Sequence, residues 1–489
     1  MNRYQELLAG CEAEQLHRSG AIQGWGTLLW IDAANGLITH AAANIRDYLA
    51  LDPAQCCGQP ASSLPWLGAE LAALPAENGA SRQTTLPDGI EARLLRAEHG
   101  VAVELEREEP VADDLDLHAL QQGMLRIPAS EADLQAYGNA LVAGIARLSG
   151  FHRVMLYRFH DDWSGEVIAE QTTPDLGSYL GLRFPASDIP AIARRLYLIN
   201  DWRLIADTRA AAVALQGRTR AADDVDLSRS DLRSVSPVHL QYLANMGVHA
   251  SFSLPVRVAG QLWGLVACHH LQAKYIGARR RRACAALSSA YALGLSSFIA
   301  ARRMQSIDRL DRRVDSILER IASHDNPLDG IDSCGETLRQ AIDAEGFAMA
   351  IGDEVALFGS TPALDQMAQI DSWFLSRPEE PLYATDHLGS IFPNQPVLLS
   401  VASGMMAIKA NSARSGLIRF YWFRPEEPTQ IIWAGNPNKP EPEDAGAVML
   451  SPRRSFEKWV EVRSAHSRPW SNEERMVAAK FRNYLLRWL

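Results

Sequence analysis

Two prolines bracket a single aspartate in the segment Arg183-Phe184-Pro185-Ala186-Ser187-Asp188-Ile189-Pro190. Each proline fixes its own φ angle, lacks a backbone donor and restricts the residue before it, so neither a helix nor a sheet ladder can run through the segment. The stretch from Ala191 to Tyr197 has helical character and begins directly after Pro190. The segment is therefore either a proline-punctuated helix cap or a rigid loop of the kind that binds ligands.

The bulk properties of the chain are those of a soluble multidomain protein. A length of 489 residues predicts about three domains, and 47% hydrophobic with 22% charged residues is ordinary for globular proteins. A formal net charge of −10 argues against nucleic-acid binding. The start of the chain, Met1 to Cys11, has no signal-peptide pattern. The cysteines have neither metal-ligand spacing nor disulfide density, which favours a cytoplasmic location: Cys11, Cys56, Cys57, Cys268, Cys284 and Cys334.

One long helix is predicted in the middle of the chain. The stretch from Ala283 to Ala301 carries no charge over 19 residues, which is the length of a membrane span. It is rich in Ala, Ser and Gly and less apolar than a typical span, so we interpret it as a buried or dimer-forming helix. Apolar residues continue at three- and four-residue spacing to about Ile321. This pattern predicts a helical spine that links domains, with a homodimer contact through residues 283–321.

Strand-like and helical patterns alternate through three regions. A boundary is marked by Glu108-Glu109-Pro110, and a helical pattern follows from about Asp114 to Leu148. The polar stretch from Leu215 to Ser230 is interpreted as a surface loop. The last region begins near residue 325 and ends in a helix from Asn472 to Trp488.

A β-hairpin carries the second set of candidate site residues. Its strands are predicted at Val248–Val258 and Gln261–His270, with the turn at Ala259-Gly260. Since side chains alternate along a strand, one pocket-like face is predicted to hold Ser251, Ser253, Trp263, Leu265, Ala267 and His269. Such a face suits acidic groups and a polar carbonyl, and an exposed outer sheet face is the alternative.

No metal site or catalytic motif is predicted. Adjacent residues of Cys268-His269-His270 point in opposite directions on a strand, so they cannot converge on one ion. Arg203, Arg233 and Tyr197 lie near the candidate loops, and arginine is suited to binding carboxylates. The chain shows no phosphate loop and no nucleophile–histidine signature, so we expect no enzymatic activity.

Several of these segments, taken together, resemble the chromophore-binding core of bacterial phytochromes: Arg183–Pro190, Leu232–His239, Tyr242–Val248 and Trp263–His270. The segment Pro452-Arg453-x-Ser455-Phe456 resembles the tongue motif of that family. The resemblance implies an α+β fold of three sensor domains, each an antiparallel sheet with flanking helices, joined by long spine helices. The implied domains are PAS (1–111, with a chromophore-attachment segment), GAF (112–303) and PHY (304–489, with the tongue at about 424–471).

The resemblance also implies a covalently bound linear tetrapyrrole. Cys11, in Cys11-Glu12-x-Glu14-x-Leu16-His17, stands where bacteriophytochromes form a thioether to biliverdin. Because Pro237-Val238-His239-Leu240 contains no cysteine, biliverdin IXα is favoured over the bilins that attach beside the pocket histidine.

The family assigns a role to each matching residue. The carbonyl of Asp188, beside Ile189 and Pro190, accepts from the pyrrole nitrogens, and His239 lies next to them with an ordered water. The two propionates are held by Arg203, Arg233, Tyr197, Ser251 and Ser253. His269 bonds the D-ring carbonyl, and the side chains packed around that ring are Tyr157, Phe184 and Tyr242.

The implied mechanism is a two-state switch. Red light rotates the D ring and breaks its hydrogen bonds to His269. The Asp188 carboxylate then separates from Arg453 of the tongue, where Ser455 and Trp459 belong to the same switch. The tongue refolds from hairpin toward helix and shifts the spine. The expected partners are biliverdin, a second copy of the chain, and an output domain or response regulator in the full system, with no nucleic acid and no membrane.

The chain departs from the family pattern at two places. The family's lasso segment reads Ile-Gln-Pro-His-Gly, whereas this chain has Ile22-Gln23-Gly24-Trp25-Gly26, and Ser19 stands where proline is common. Leu182 replaces the glutamine found in phytochromes with a far-red-absorbing ground state, which favours a red-absorbing dark state. Two other hypotheses stay open on the sequence alone: a GAF sensor of a cyclic-nucleotide-like ligand without photoactivity, and an interaction scaffold.

Overall fold

The computed structural model describes residues 15–109, 117–217, 225–324, 327–412, 416–437 and 456–488. The chain divides into two compact units. The first unit contains the residues up to Phe298 together with Ile432–Trp459, and the second contains Ile299–Ile431 with Val460–Leu489. The mixed α+β class predicted from the sequence is confirmed, with three sheets and one long helix.

The elements of the first unit follow the predicted alternation. Its strands are β1 (Ala21–Ile22), β2 (Gly26–Asp32), β3 (Ile38–Ala42), β4 (Ser81–Thr85), β5 (Ile90–Arg96), β6 (Gly100–Arg107), β7 (Arg153–Phe159), β8 (Gly165–Thr172), β9 (Arg183–Phe184), β10 (Arg203–Ile205), β11 (Val213–Gly217), β12 (Ala250–Val258) and β13 (Gln261–His270). Its helices are α1 (Arg46–Leu49), α2 (Pro53–Cys56), α3 (Pro65–Ala73), α4 (Leu117–Met124), α5 (Glu131–Ser149), α6 (Ala191–Ile199) and α7 (Pro237–Asn245), and α8 (Ala278–Ala322) begins in this unit.

The first sheet contains a strand from far along the chain. Its order is β1-β11-β3-β2-β6-β5-β4, so β11 pairs antiparallel with both β1 and β3. The interpretation of Leu215–Ser230 as a surface loop is therefore wrong. Leu215 lies in β11, and Val225 and Leu227 are fully buried in the same cluster as Leu28. The segment looks polar because its apolar residues are few, but Leu215, Val225 and Leu227 are buried against the N-terminal sheet.

The second sheet positions the candidate site. Its order is β10-β12-β13-β7-β8-β9, and two strands from later in the chain, within Thr429–Ala434 and Lys458–Arg463, continue the sheet beyond β9. Helices α5 and α8 cover one face, where Phe252, Leu254 and Val256 join the core. The helical pattern predicted from about Asp114 to Leu148 corresponds to two separate helices, α4 and α5. Pro128 lies between them and Ser130 caps α5 by accepting from the backbone N–H of Asp133.

The β12–β13 hairpin confirms the predicted alternation and corrects one residue. Ser251 pairs with His269 and Ser253 with Ala267, so these residues share the face opposite the core. The ladder shifts between Val256 and Arg257, whose partners are Gly264 and Leu262. This bulge turns Trp263 toward the core side, so the prediction that Trp263 shares the face of Leu265 is wrong.

Helix α8 confirms the predicted spine, since it runs without a break over 45 residues. By length and composition it is the one helix among the described residues that could cross a membrane, with 44% of its apolar window buried. In the second unit its Val314, Ile317 and Ile321 are buried in the core.

The second unit is built around a sheet of order β15-β14-β18-β17-β16. Its strands and the two that continue the second sheet are β14 (Gly346–Ile351), β15 (Glu354–Gly359), β16 (Leu382–Thr385), β17 (Gly404–Ser412), β18 (Gly416–Arg424), β19 (Thr429–Ala434) and β20 (Lys458–Arg463). Its helices are α9 (Pro327–Ser333), α10 (Gly335–Ala341), α11 (Leu364–Leu375), α12 (Pro396–Ala402) and α13 (Asn472–Trp488). Within the first unit, Trp433 of β19 pairs in parallel with Arg183 of β9.

Candidate functional site

The outer face of the β12–β13 hairpin, helix α6 and helix α7 enclose a cavity of about 290 Å³. That volume lies near the lower end of the range for ligand pockets, about 300–1,000 Å³. The described residues to which the family resemblance assigns a binding role all line this cavity: Tyr157, Phe184, Asp188, Ile189, Pro190, Tyr197, Arg203, Arg233, His239, Tyr242, Ser251, Ser253 and His269. Cys11, Arg453 and Ser455 lie outside the described residues, and Trp459 is a half-buried residue of β20.

The proline-bracketed segment is both a helix cap and a pocket wall. Its two ends are β9 and the cap residue Pro190 of α6, with a 3₁₀ turn over Ala186–Asp188 between them. Nη1 of Arg194 donates to the carbonyl of Ile189 at 2.6 Å, and the hydroxyl of Tyr242 donates to Oδ2 of Asp188 at 2.9 Å. The loop is thereby fixed at the edge of the cavity from two helices.

Two buried arginines give the cavity an excess of positive charge. Nη2 of Arg203 donates to the carbonyls of Arg233 at 2.5 Å and Ser234 at 3.0 Å, while Nη1 of Arg233 reaches the carbonyl of Ser228 at 3.3 Å. Within the described part of the chain, neither guanidinium has a carboxylate at ion-pair distance. Burial, and then the charge of Arg233, lower the pKa of Arg203 to about 9, and burial lowers the pKa of Arg233 to about 10. A buried cation without a carboxylate at ion-pair distance favours an anionic ligand.

Hydroxyl groups line the cavity beside these arginines. The hydroxyl of Tyr197 lies 2.7 Å from Oγ of Ser253. Ser251 stands two residues earlier on the same face of β12. Two guanidinium groups with neighbouring hydroxyls form a donor set that suits carboxylates.

Two neutral imidazoles occupy the other side of the cavity. Burial, and then the charge of Arg203, lower the pKa of His239 to about 4. Burial, and then the charge of Arg153, lower the pKa of His269 to about 3. Nδ1 of His269 is buried and has no hydrogen-bond partner among the described residues. The His239 ring is nearly parallel to that of Tyr242, at 5.9 Å between centroids. Both histidines are therefore neutral and able to bind the polar atoms of a ligand.

The sequence interpretation missed several cavity residues. Ile192 and Leu196 line the cavity from α6 at i, i+4 spacing, a periodicity that could have revealed them. Pro437, after β19, and Leu16, before β1, also line the cavity, and no local pattern marks either of them. Among the described residues, no cluster of His, Cys, Asp and Glu could hold a metal ion.

The segment that departs from the family pattern is well fixed. Nε2 of Gln23 donates to the carbonyl of Leu204 at 2.8 Å, which ties the segment to β10. A Cβ added to Gly26 would lie 2.5 Å from Cδ2 of Leu232, so a glycine is required there. Trp25 packs on Tyr275 at 5.5 Å and under the guanidinium of Arg281 at 5.0 Å.

A largely apolar cavity with a few polar and charged groups lies on the outer face of the second sheet, and a long helix leads from that domain into the second unit. These features define a ligand-binding sensory module. Three family models match the chain: "PAS fold" over residues 11–108, "GAF domain" over 133–293 and "Phytochrome region" over 310–489. The chain belongs to the phytochrome family and forms its PAS–GAF–PHY photosensory core module.

Individual relatives agree with this assignment. The chain is 33% identical to a bacteriophytochrome of Xanthomonas campestris, covering 94% of this chain and 75% of that protein. It is 34% identical to a bacteriophytochrome of Pseudomonas aeruginosa, covering 97% of this chain and 66% of that protein. It is 30% identical to cyanobacterial phytochrome B of Nostoc, covering 99% of this chain and 66% of that protein. The chain thus spans about two thirds of the length of the Pseudomonas and Nostoc proteins.

Solved structures share the fold. The crystal structure of a bacteriophytochrome from the photosynthetic bacterium R. palustris is 30% identical, with a TM-score of 0.81, over 98% of this chain and 100% of that one. The photosensory core module of a Stigmatella aurantiaca phytochrome is also 30% identical, with a TM-score of 0.81, over 97% of each chain. In this fold α8 is the spine helix of the module rather than a membrane span.

Membership of the family implies a bilin chromophore, and the cavity fits one. The two buried guanidiniums match the acidic side chains of such a pigment. Nδ1 of His269, which has no partner among the described residues, suits a polar atom at the edge of a conjugated ring. The aromatic side chains of Tyr157 and Phe184 suit the face of such a ring.

Proposed function

We propose that this module is a red/far-red light receptor whose chromophore is biliverdin IXα, attached through Cys11. The observation that carries the proposal is the pair of buried guanidiniums, Arg203 and Arg233, which have no carboxylate partner among the described residues and which face the Tyr197–Ser253 hydroxyl pair. Biliverdin carries two propionates, which would supply the missing negative charge. The absence of a cysteine beside His239 supports attachment at Cys11.

The chain's own residues hold the pigment in this proposal. The carbonyl of Asp188 accepts from pyrrole N–H groups, flanked by Ile189 and Pro190. His239 lies beside it as a neutral base and Arg203 and Arg233 bind the propionates with Tyr197, Ser251 and Ser253. His269 meets the last pyrrole ring, and Tyr157, Phe184 and Tyr242 confine it. When bound, biliverdin supplies light absorption and an isomerisable double bond.

The proposed switch acts through the tongue. Tyr242 donates to Asp188 and also contacts Phe456, whose ring lies 5.4 Å away, so α7 links the pocket to the tongue residues nearest to it. We place the partner of the Asp188 carboxylate at Arg453, with Ser455 and Trp459 in the same switch. The change is passed along α8 to an output domain or response regulator, in a cytoplasmic homodimer formed through residues 283–321.

Adding biliverdin to the apoprotein tests the proposal. A red-absorbing adduct that photoconverts reversibly and keeps its pigment after denaturation is expected. Cys11→Ala should retain the pigment without the covalent link. Cys268→Ala is the matched control, since Cys268 is buried on the opposite side of the sheet from His269 and should leave attachment intact. A spectrum that stays that of free pigment would refute the function, and a covalent adduct in Cys11→Ala would refute the attachment site.

A further inference from the structure

A buried ion pair lies beside the cavity without lining it. Nε of Arg153 in β7 is 3.1 Å from Oε1 of Glu170 in β8, and the two side chains are only 6% and 3% exposed. Burying a charged pair is expensive, because both ions lose their hydration. The family resemblance assigns no role to either residue.

The strand register places this pair next to His269. Arg153 is the residue directly opposite His269 on the neighbouring strand. Glu170 is directly opposite Met155, which lines the cavity two residues after Arg153 on the same face of β7. Side chains directly opposite each other on one sheet face lie about 5 Å apart. The pair is therefore adjacent to the imidazole at one end of the cavity.

The same pair also anchors a loop. Glu170 accepts from Oγ of Ser178 at 2.5 Å and from the backbone N–H of Tyr179 at 3.1 Å. Arg153 donates to the carbonyl of Gly177, and its guanidinium carbon lies 3.9 Å from the centre of the Tyr179 ring. A purely structural role as a loop anchor is therefore the alternative to be distinguished.

The electrostatic environment of His269 separates the two roles. After burial, the groups that lower the pKa of His269 are Arg153 on β7, through its charge, and then His239 on α7, whose own pKa is lowered by Arg203. Glu170 on β8 opposes Arg153 with a negative charge, and on the α7 side the Asp188 carboxylate accepts from the hydroxyl of Tyr242. The charge of Arg153 thus acts on His269, and Glu170 is the group that pairs with that charge.

We propose that the Arg153–Glu170 ion pair is a positioning device for His269: it keeps the imidazole neutral and presents it to the last pyrrole ring of the chromophore. This role rests on the proposed function, because it concerns the histidine that meets that ring. The guanidinium disfavours a second positive charge on the adjacent strand. Its pairing with Glu170 fixes the guanidinium in place and limits the strength of its field.

The electrostatic role predicts different effects of the two single variants on the protonation of His269. Arg153→Gln removes the cation and leaves Glu170, which should raise the pKa of His269 by at least about one unit toward the ordinary value near 6.5. Glu170→Gln leaves an unpaired cation, which should keep His269 neutral at any pH at which the protein stays folded. A loop anchor alone would be weakened by both variants in the same direction.

The measurement is made on the biliverdin-loaded protein labelled with ¹⁵N-histidine. The His269 signal is assigned by its loss in His269→Gln and is followed with pH together with the absorption band. Arg153→Lys is the matched control, since it keeps the positive charge and should keep His269 neutral. The double variant Arg153→Gln/Glu170→Gln leaves no unpaired buried charge and covers the case in which Arg153→Gln alone does not fold.

The outcomes separate this proposal from the proposed function. A protonation step of His269 in Arg153→Gln or the double variant, absent from Arg153→Lys and Glu170→Gln, supports the positioning role. Photoconverting variants in which His269 titrates as in the unchanged protein would overturn the positioning role and leave the photoreceptor function standing. A chain that neither binds biliverdin nor photoconverts would overturn the function itself.

Discussion

The hydroxyl of Tyr242 donates a hydrogen bond to Oδ2 of Asp188 at 2.9 Å. It joins the middle of α7 to the proline-bracketed loop, two elements separated by more than 50 positions in the chain. The same Tyr242 ring contacts His239 on one side and Phe456 on another. A single side chain therefore holds together the pocket histidine, the loop aspartate and a residue of the tongue.

Removing the Tyr242 hydroxyl should shift the balance between the two light states. Tyr242→Phe keeps the ring contacts but deletes one hydrogen bond to a carboxylate, worth about 1–2 kcal/mol in the state described here. We expect the other state to gain by about 5- to 30-fold in the dark equilibrium. Thermal reversion followed by absorption measures this, and unchanged rates in both directions would contradict it.

Substitutions of Arg203 and Arg233 should differ in their effect on the stability of the apoprotein and should have the same effect on biliverdin binding. Arg233 reaches one carbonyl, so Arg233→Gln should cost the apoprotein little, whereas Arg203→Gln leaves several carbonyls without their donor. Each variant should weaken biliverdin binding about 10- to 100-fold, since a charge-assisted contact contributes about 1.5–3 kcal/mol.

Both affinities are measured in a Cys11→Ala background, where binding is reversible, and apoprotein stability is measured by urea unfolding. Arg46→Gln, on an exposed side chain far along the chain from the cavity, is the control. Equal affinity in Arg233→Gln and the parent would show that the buried guanidiniums do not bind the propionates.

The apoprotein should lose stability as the pH falls. His239 and His269 have pKa values of about 4 and about 3 in the folded state, below the ordinary value of 6.5. The unfolded chain therefore binds more protons below about pH 6.5, so the free energy of unfolding decreases as the pH falls from there toward about 4. Between about pH 7.5 and about pH 5 the loss should be on the order of 2 kcal/mol for each histidine.

Urea unfolding of the apoprotein at the two pH values measures that loss. His269→Gln should show a smaller decrease than the parent, and His118→Gln, at an exposed position, should show the same decrease as the parent. Identical decreases in all three proteins would contradict the assignment of a buried neutral imidazole.

Gly165→Ala should change the shape of the cavity, although Gly165 does not line it. A Cβ at Gly165 would lie 1.8 Å from ring atoms of Tyr157, so the ring must move into the cavity or the strands must separate. We expect the apoprotein to lose about 1–3 kcal/mol of stability and the bound chromophore to show a shifted absorption band. Gly123→Ala, at a helical position with open space around the Cβ, is the control and should be neutral or slightly stabilising. A normal spectrum in Gly165→Ala would show that the Tyr157 ring does not confine the pigment.

The local features of the site follow from the sequence. Period-two alternation placed Ser251, Ser253 and His269 on one face, because a hairpin with a two-residue turn has a fixed register. The same rule failed at Trp263, since a bulge inserts one residue without a marked sequence signal. The pairing of the Asp188 carboxylate with Arg453 stays a prediction, because Arg453 lies outside the described residues.

Long-range features could not be read from local patterns. Leu215, Val225 and Leu227 stand among polar residues, and only the surface presented by the N-terminal sheet explains their burial. The Arg153–Glu170 pair did leave a signal, since a charged residue at the end of each apolar strand needs a partner when both strands are buried. That signal was missed because charged strand ends are usually solvated.

The insertion of β11 between β1 and β3 has a consequence for how the protein is made. On the ribosome, the N-terminal sheet emerges long before the strand that completes it. Until β11 is synthesised, β3 presents an unpaired edge, and such edges recruit other chains. The PAS domain, which contains β1 and β3, and the GAF domain, which contains β11, must therefore finish folding together. A ribosome pause between β3 and β11 would expose the incomplete sheet to aggregation.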